Sequence, residues 1–189
     1  MRLIYFTILW ISFMGSAALA ETDTCTTIIE HTEADNENPW RTVNDGVMGG
    51  LSSGTSSLEE GVLSFAGITN TNGGGFSSVR LKVPRGVMAG TSNIKVHMKR
   101  DARSYSLTLR TNVRSYGRRV AFRGPLIKAP EGKWGVGVLS FDSLQASFRG
   151  RVVSNAVFDP AEVVELGLII YDGKDGPFAM QLQRIEACR

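Results

Sequence analysis

Few residues in this 189-residue chain have the types and spacing to do chemistry. Gly50-Leu51-Ser52-Ser53-Gly54 matches G-x-S-x-G, the nucleophile elbow that sets a serine on a turn between a strand and a helix. The elbow needs a helix after the serine, then a carboxylate and a histidine downstream. Thr55-Ser56-Ser57 is poor helix material, His97 is the only later histidine, and Glu59 and Glu60 are the only carboxylates between. A hydrolase reading therefore rests on Ser52 alone and takes third place. His31 and His97 are too few for a histidine zinc site, and no C-x-x-C or H-E-x-x-H spacing occurs. Asp172-Gly173-Lys174-Asp175-Gly176 puts a lysine where a calcium loop needs an oxygen ligand, so it reads as a hairpin turn. Gly73-Gly74-Gly75 does not complete G-x-G-x-x-G. No catalytic set, metal or cofactor is expected.

The stretch that organises the chain is 40–54, WRTVNDGVMGGLSSG. Asn44-Asp45-Gly46 and Gly49-Gly50 tolerate sharp turns, and Trp40 is a large apolar anchor just upstream. Such a stretch is a tightly packed loop or a place where another molecule approaches the backbone. Met48, unbranched and adaptable, is expected to plug a gap beneath this loop. Asp45 and Arg80, each beside a glycine-rich loop, are expected to pair through a charge-assisted hydrogen bond.

The elements that must position these residues are strands. Period-2 patterns occur at 76–83, 94–99, 105–110 and 120–122, then around Trp134, Val136 and Val138, at 164–170, and at Phe178, Met180 and Leu182. Thr26 to Glu30 and Val62 to Phe65 read as further short strands, and 159–162 as one helical turn. The four-residue turn 100–103 is expected to join an antiparallel pair. No amphipathic helix of about ten residues appears, and eight or so strands with glycine-rich turns predict an all-β fold, a β-sandwich or jelly roll.

Composition limits the partners. Lys and Arg number 21 against 18 Asp and Glu, a formal charge of +3. That balance argues against an electrostatically driven nucleic-acid binder. Arg100, Arg103, Arg110, Arg114, Arg118, Arg119 and Arg123 make the middle basic, but alternation is expected to scatter them over two solvated faces. Residues 1–20 combine a basic start, an apolar run and an A-x-A site, the layout of a signal peptide cleaved after Ala20. The mature chain, 21–189, then reads as one periplasmic or secreted domain with no membrane span. In an exported protein the two cysteines, Cys25 and Cys188, are expected to form a disulfide. It would close nearly the whole mature chain into one loop, worth ~5 kcal/mol in the chain-entropy model.

The order Trp40, Asn44-Asp45-Gly46-Val47-Met48-Gly49-Gly50, Ser52, then Gly74-Gly75-Phe76 and Arg80, resembles the complex I intermediate-associated protein 30 family. Asp101, Arg103, Tyr105, Trp134, Phe141, Arg149-Gly150, Gly167-Leu168 and Gly176-Pro177-Phe178 continue the resemblance over about residues 40–187. It implies a galactose-binding-domain-like jelly roll and a non-enzymatic role holding protein partners during assembly, as in respiratory complex I. The turn that usually reads Gly-Asp-Gly-Arg is Arg100-Asp101-Ala102-Arg103 here. The candidate loop site comprises Trp40, Asn44, Asp45, Met48, Phe76, Arg80, Arg103 and Tyr105. The alternative is a carbohydrate-binding jelly-roll module, with Trp40, Phe76, Tyr105 and Trp134 as stacking residues.

Overall fold

The computed structural model describes residues 24–35, 37–115, 117–148 and 151–189. The expected signal peptide and the Arg149-Gly150 signature lie outside the described residues. Thirteen strands are described: β1 Cys25–Glu30, β2 Arg41–Asn44, β3 Ser53–Glu59, β4 Val62–Thr69, β5 Ser77–Lys82, β6 Asn93–Arg100, β7 Tyr105–Ser115, β8 Arg118–Pro125, β9 Gly135–Ser140, β10 Gln145–Phe148, β11 Arg151–Val152, β12 Glu165–Ile170 and β13 Gly176–Cys188. The six-stranded sheet runs β3-β4-β13-β6-β9 with β1 also on β13; the seven-stranded sheet runs β11-β10-β8-β7-β12-β5-β2. All pairings between named strands are antiparallel. The expected all-β sandwich is the observed architecture.

The period-2 positions decide which face each strand turns inward. Ile94, Val96 and Met98 of β6, and Phe178, Met180 and Leu182 of β13, meet Leu107, Leu109, Leu166, Leu168 and Ile170 from the other sheet; all are buried. On β9 the inward set is Gly137 and Leu139, not the expected Trp134, Val136 and Val138. Directly paired residues face the same way, and Val96 pairs with Gly137 and Ile94 with Leu139. Trp134 is left 45% exposed.

The turns do something that local sequence did not suggest. Instead of joining β6 and β7 as a pair, residues 101–104 carry the chain from the six-stranded to the seven-stranded sheet. Likewise 171–175 is no hairpin; it returns the chain from β12 to β13 in the other sheet. Stacked sheets lie ~10 Å apart, which four extended residues can span. The long-crossover requirement holds only for parallel strands of one sheet. Residues 45–52 and 70–76 also change sheets, and hydrogen bonds between these segments gather them at one end of the sandwich.

Cys25 and Cys188, paired across β1 and β13, form a disulfide, as expected, at a sequence separation of 163. Disulfides persist in oxidising compartments. No helix among the described residues is long and apolar enough to cross a membrane.

Candidate functional site

The end where these connections gather is held by two ionic centres, one buried and one partly buried. The first is Asp45, at the start of a 3-10 turn, Asp45–Met48, and fully buried. Its carboxylate accepts from Ser52 N (2.9 Å), Ser52 Oγ (2.6 Å), Gly75 N (2.6 Å) and Phe76 N (3.3 Å). Burial alone would push the Asp45 carboxyl up, but these hydrogen bonds to the charged form outweigh it and hold it below its ordinary value. A Cβ at Gly50 or at Gly74 would collide with this carboxylate, which is why glycine is needed at both. Ser52, the would-be nucleophile, is consumed here: it also accepts from Asn70 N at 3.0 Å. Asn44, one residue earlier, accepts from Ser77 Oγ at 2.5 Å and donates to Gly54 O at 3.2 Å.

The second centre is Arg103. Its Nε and Nη2 clamp both oxygens of Asp172 at 2.8 and 2.7 Å. The same guanidinium donates to Thr69 Oγ1 and to the carbonyls of Lys174, Gly176 and Pro177. One side chain therefore ties the ends of three sheet-changing connections. The Arg103 hydrogen bonds hold the Asp172 carboxyl below its ordinary range against the opposing effect of burial. Asp101 accepts from the Arg103 and Ala179 amides at 2.9 and 2.7 Å and from Tyr105 Oη at 3.1 Å. Burial, then Asp101, pushes the Tyr105 hydroxyl far above its ordinary value, so it stays protonated as a donor. The departure from glycine at residues 100 and 102 leaves this network intact: the Arg100 guanidinium caps the Ala129, Asp101 and Arg103 carbonyls.

Beside this end, the outer face of the seven-stranded sheet forms a groove of about 620 Å³. Strand pairing builds its floor. Arg123 lies opposite Thr108, Thr108 opposite Gly167, Gly167 opposite Arg80 and Arg80 opposite Arg41, forming one row across the sheet. A Cβ on Gly167 would come within 2.8 Å of Thr108 Oγ1 and 3.1 Å of the Arg80 stem. The glycine leaves room for that stem over the floor. Arg110, Arg118, Arg119 and Arg123 line the groove with Arg80. The expected scatter of arginines over two faces is thus corrected for Arg110, Arg119 and Arg123, because steps of two along β8 and the pairing of Arg110 with Ala121 collect them on one face.

This face carries more positive charge than its carboxylate can balance. Glu165 lies 3.5 Å from Arg110 and 3.7 Å from Arg41. Burial, then Arg110, presses the Arg80 guanidinium down to about 10, with Glu165 opposing and Arg41 adding to the effect. Burial also lowers Arg110, with Glu165 opposing. Both remain charged at neutral pH. Val43, Val47, Met48, Phe76, Phe148, Ile169 and Tyr171 supply apolar surface to the same groove. Arg123 sits over the Tyr171 ring at 5.0 Å.

The residues singled out from sequence therefore separate. Met48, Phe76 and Arg80 come together in the groove. Asn44, Asp45, Arg103 and Tyr105 lie in the hydrogen-bonded end beside it. Trp40 lies elsewhere, 4% exposed and donating to His31 Nε2 at 2.8 Å. Two expectations are corrected. Met48 is 50% exposed, because the 3-10 turn directs it to the groove and Asp45 occupies the interior beneath the loop. Asp45 does not bond Arg80: backbone amides satisfy its carboxylate, while Arg80 Nε donates to Ser78 Oγ at 3.2 Å. Sequence reasoning missed Arg110, Arg123, Gly167 and Tyr171 as members of one surface. The i, i+2 spacing of Arg119, Ala121 and Arg123 was the available signal.

Comparisons with known proteins bear on both fold and family. The sequence profile described as Complex I intermediate-associated protein 30 (CIA30) matches residues 29–182. Among solved structures, a family 11 carbohydrate-binding module from Clostridium thermocellum, in complex with a β-1,3-1,4-mixed-linked tetrasaccharide, superposes with a TM-score of 0.59 at 11% identity. That match covers 89% of this chain and 96% of the module. The family 11 module of a cellulosomal cellulase from the same organism gives 0.55 at 12% identity, over 89% and 95% of the two chains. A family 30 carbohydrate-binding module gives 0.52 at 13% identity, over 87% and 98%. At these identities the likeness is one of fold, a jelly roll. A search of curated proteins finds no match.

Proposed function

We propose that this chain, which belongs to the complex I intermediate-associated protein 30 family, is an exported, non-catalytic module that binds protein partners during assembly through the groove on its seven-stranded sheet. One observation carries the reading. The polar side chains of the glycine-rich end are satisfied within the protein, whereas the groove leaves guanidinium groups and apolar side chains open to a ligand. Exposed arginine, methionine and aromatic side chains are the composition enriched in protein interfaces. In this reading Met48, Phe76 and Arg80 contact the partner, while Asn44, Asp45, Arg103 and Tyr105 fix the loops around them. The disulfide fits export to an oxidising compartment. Native crosslinking followed by affinity capture tests the reading: a specific protein crosslinked through groove residues is expected, and capture of none would count decisively against it.

A second reading, carbohydrate binding, is favoured by the jelly-roll likeness to modules of that kind. Trp40 and Tyr105 are buried and so not open to stack on sugars; Arg123 lies over the Tyr171 ring. Phe76 remains at the groove, and Trp134 is exposed elsewhere. A thermal-shift panel of neutral oligosaccharides separates the readings, since only a sugar-binding module gains melting temperature from them.

A further inference from the structure

Resting on that reading of the groove, we infer that it recognises an extended acidic segment of the partner in which carboxylates alternate with apolar side chains. The row Arg123, Thr108, Gly167, Arg80 and Arg41 crosses five neighbouring strands, and Arg110 stands beside it with Glu165 as its carboxylate neighbour. Guanidinium groups held close together repel one another, and a ligand that brings carboxylates relieves that repulsion with bidentate bonds. From Ser147 on β10 to Val43 on β2 the groove spans six strands. At ~4.8 Å per strand that is ~24 Å, the reach of ~7 extended residues.

The apolar groups decide which anion fits. Val47 is 76% and Met48 50% exposed at the rim, beside Val43 and Ile169. An anionic polysaccharide or a nucleic-acid strand carries charge but no aliphatic side chains to cover them. An acidic peptide with alternating apolar residues satisfies both sets of groups at once.

The test is a fluorescence-anisotropy titration of the full mature protein with a labelled ~8-residue peptide of alternating glutamate and valine. Matched-charge competitors are a heparin-derived oligosaccharide and a single-stranded oligodeoxynucleotide. Saturable binding is expected that weakens with salt. Arg80→Gln with Arg123→Gln should cost about tenfold or more in affinity. Lys99→Gln with Lys174→Gln, which removes the same charge away from the groove, should change it less than about threefold. Melting temperatures are read for every variant. If the groove double variant fails to fold, Arg123→Gln alone serves, since its guanidinium reaches over Tyr171 at the surface. Absence of peptide binding, equal binding by groove and control variants, or tighter binding of either competitor overturns the inference. The titration needs no natural partner, so its failure is distinct from a failure to capture one. A captured protein that meets the groove through a segment poor in Asp and Glu likewise overturns this inference while the proposed function stands.

Discussion

Two neighbouring regions of this sandwich are rich in polar groups and use them in opposite ways. At the end where the glycine-rich connections meet, Asp45 and Arg103 turn inward and are matched: Asp45 by Ser52, Gly75 and Phe76, and Arg103 by Asp172, Thr69 and three carbonyls. On the outer face of the seven-stranded sheet, Arg41, Arg80 and Arg110 share Glu165. The first arrangement stabilises the fold and leaves nothing for a ligand. The second sets like charges against one another, which is why the proposed partner contact is placed there and not at the loop end. Polar residues clustered at glycine-rich loops are thus a poor guide to a binding site until their hydrogen bonds have been followed to their ends.

Mutations should sort the two regions by stability. Arg103→Ala leaves Asp172 buried without its cation and strands the carbonyls of Lys174, Gly176 and Pro177. A loss of ~3–5 kcal/mol is expected in urea denaturation, the range for breaking a buried pair; a loss below ~1 kcal/mol would move this end into the class of solvated surface. Asp45→Ala removes the shared acceptor of three buried amides and one hydroxyl, with an expected cost of ~3 kcal/mol. Little change there would erase the contrast with the groove.

Acid should act on the same end. Asp45 and Asp172 both titrate lower in the folded protein than in the unfolded chain. Their contribution is therefore present above the unfolded carboxylate range, near pH 4, and is lost as pH falls further through the folded values. The urea midpoint should hold from pH 7 to about pH 5 and then fall, and more shallowly in Asp45→Ala. At the small end of the scale, Met48→Ala in the groove should leave stability within about 0.5 kcal/mol while weakening partner binding. A loss of ~2–5 kcal/mol would instead make Met48 a packed plug, contrary to its exposure.

The sequence made the strands legible because period-2 burial is local. Ile94, Val96 and Met98, or Leu166, Leu168 and Ile170, advertise their inward face without reference to any partner. The disulfide was legible from the expected export signal and the two cysteines, and the family from the ordered run between Trp40 and Phe178. Connection between sheets was not legible, because a four-residue turn can close a hairpin or cross a sandwich. The choice depends on where β12 and β13 sit relative to strands far along the chain. Asp45 and Arg80 are near in motif but are satisfied by different neighbours, so no pairing of opposite charges by proximity could identify their partners. The groove was invisible for a similar reason: Arg80 and Arg123 belong to one row only through the strands β12 and β7 between them.

The central claim is that partners meet the seven-stranded sheet and not the rest of the surface. Its most direct test places a photo-crosslinking amino acid at Val47, on the groove rim, or at Ala179, exposed on the outer face of the six-stranded sheet. After irradiation in cells, a discrete protein adduct is predicted from position 47, lost when Arg80→Gln is added, with none from position 179. An adduct at position 179 as strong as that at 47, or one at 47 indifferent to Arg80→Gln, would contradict the account.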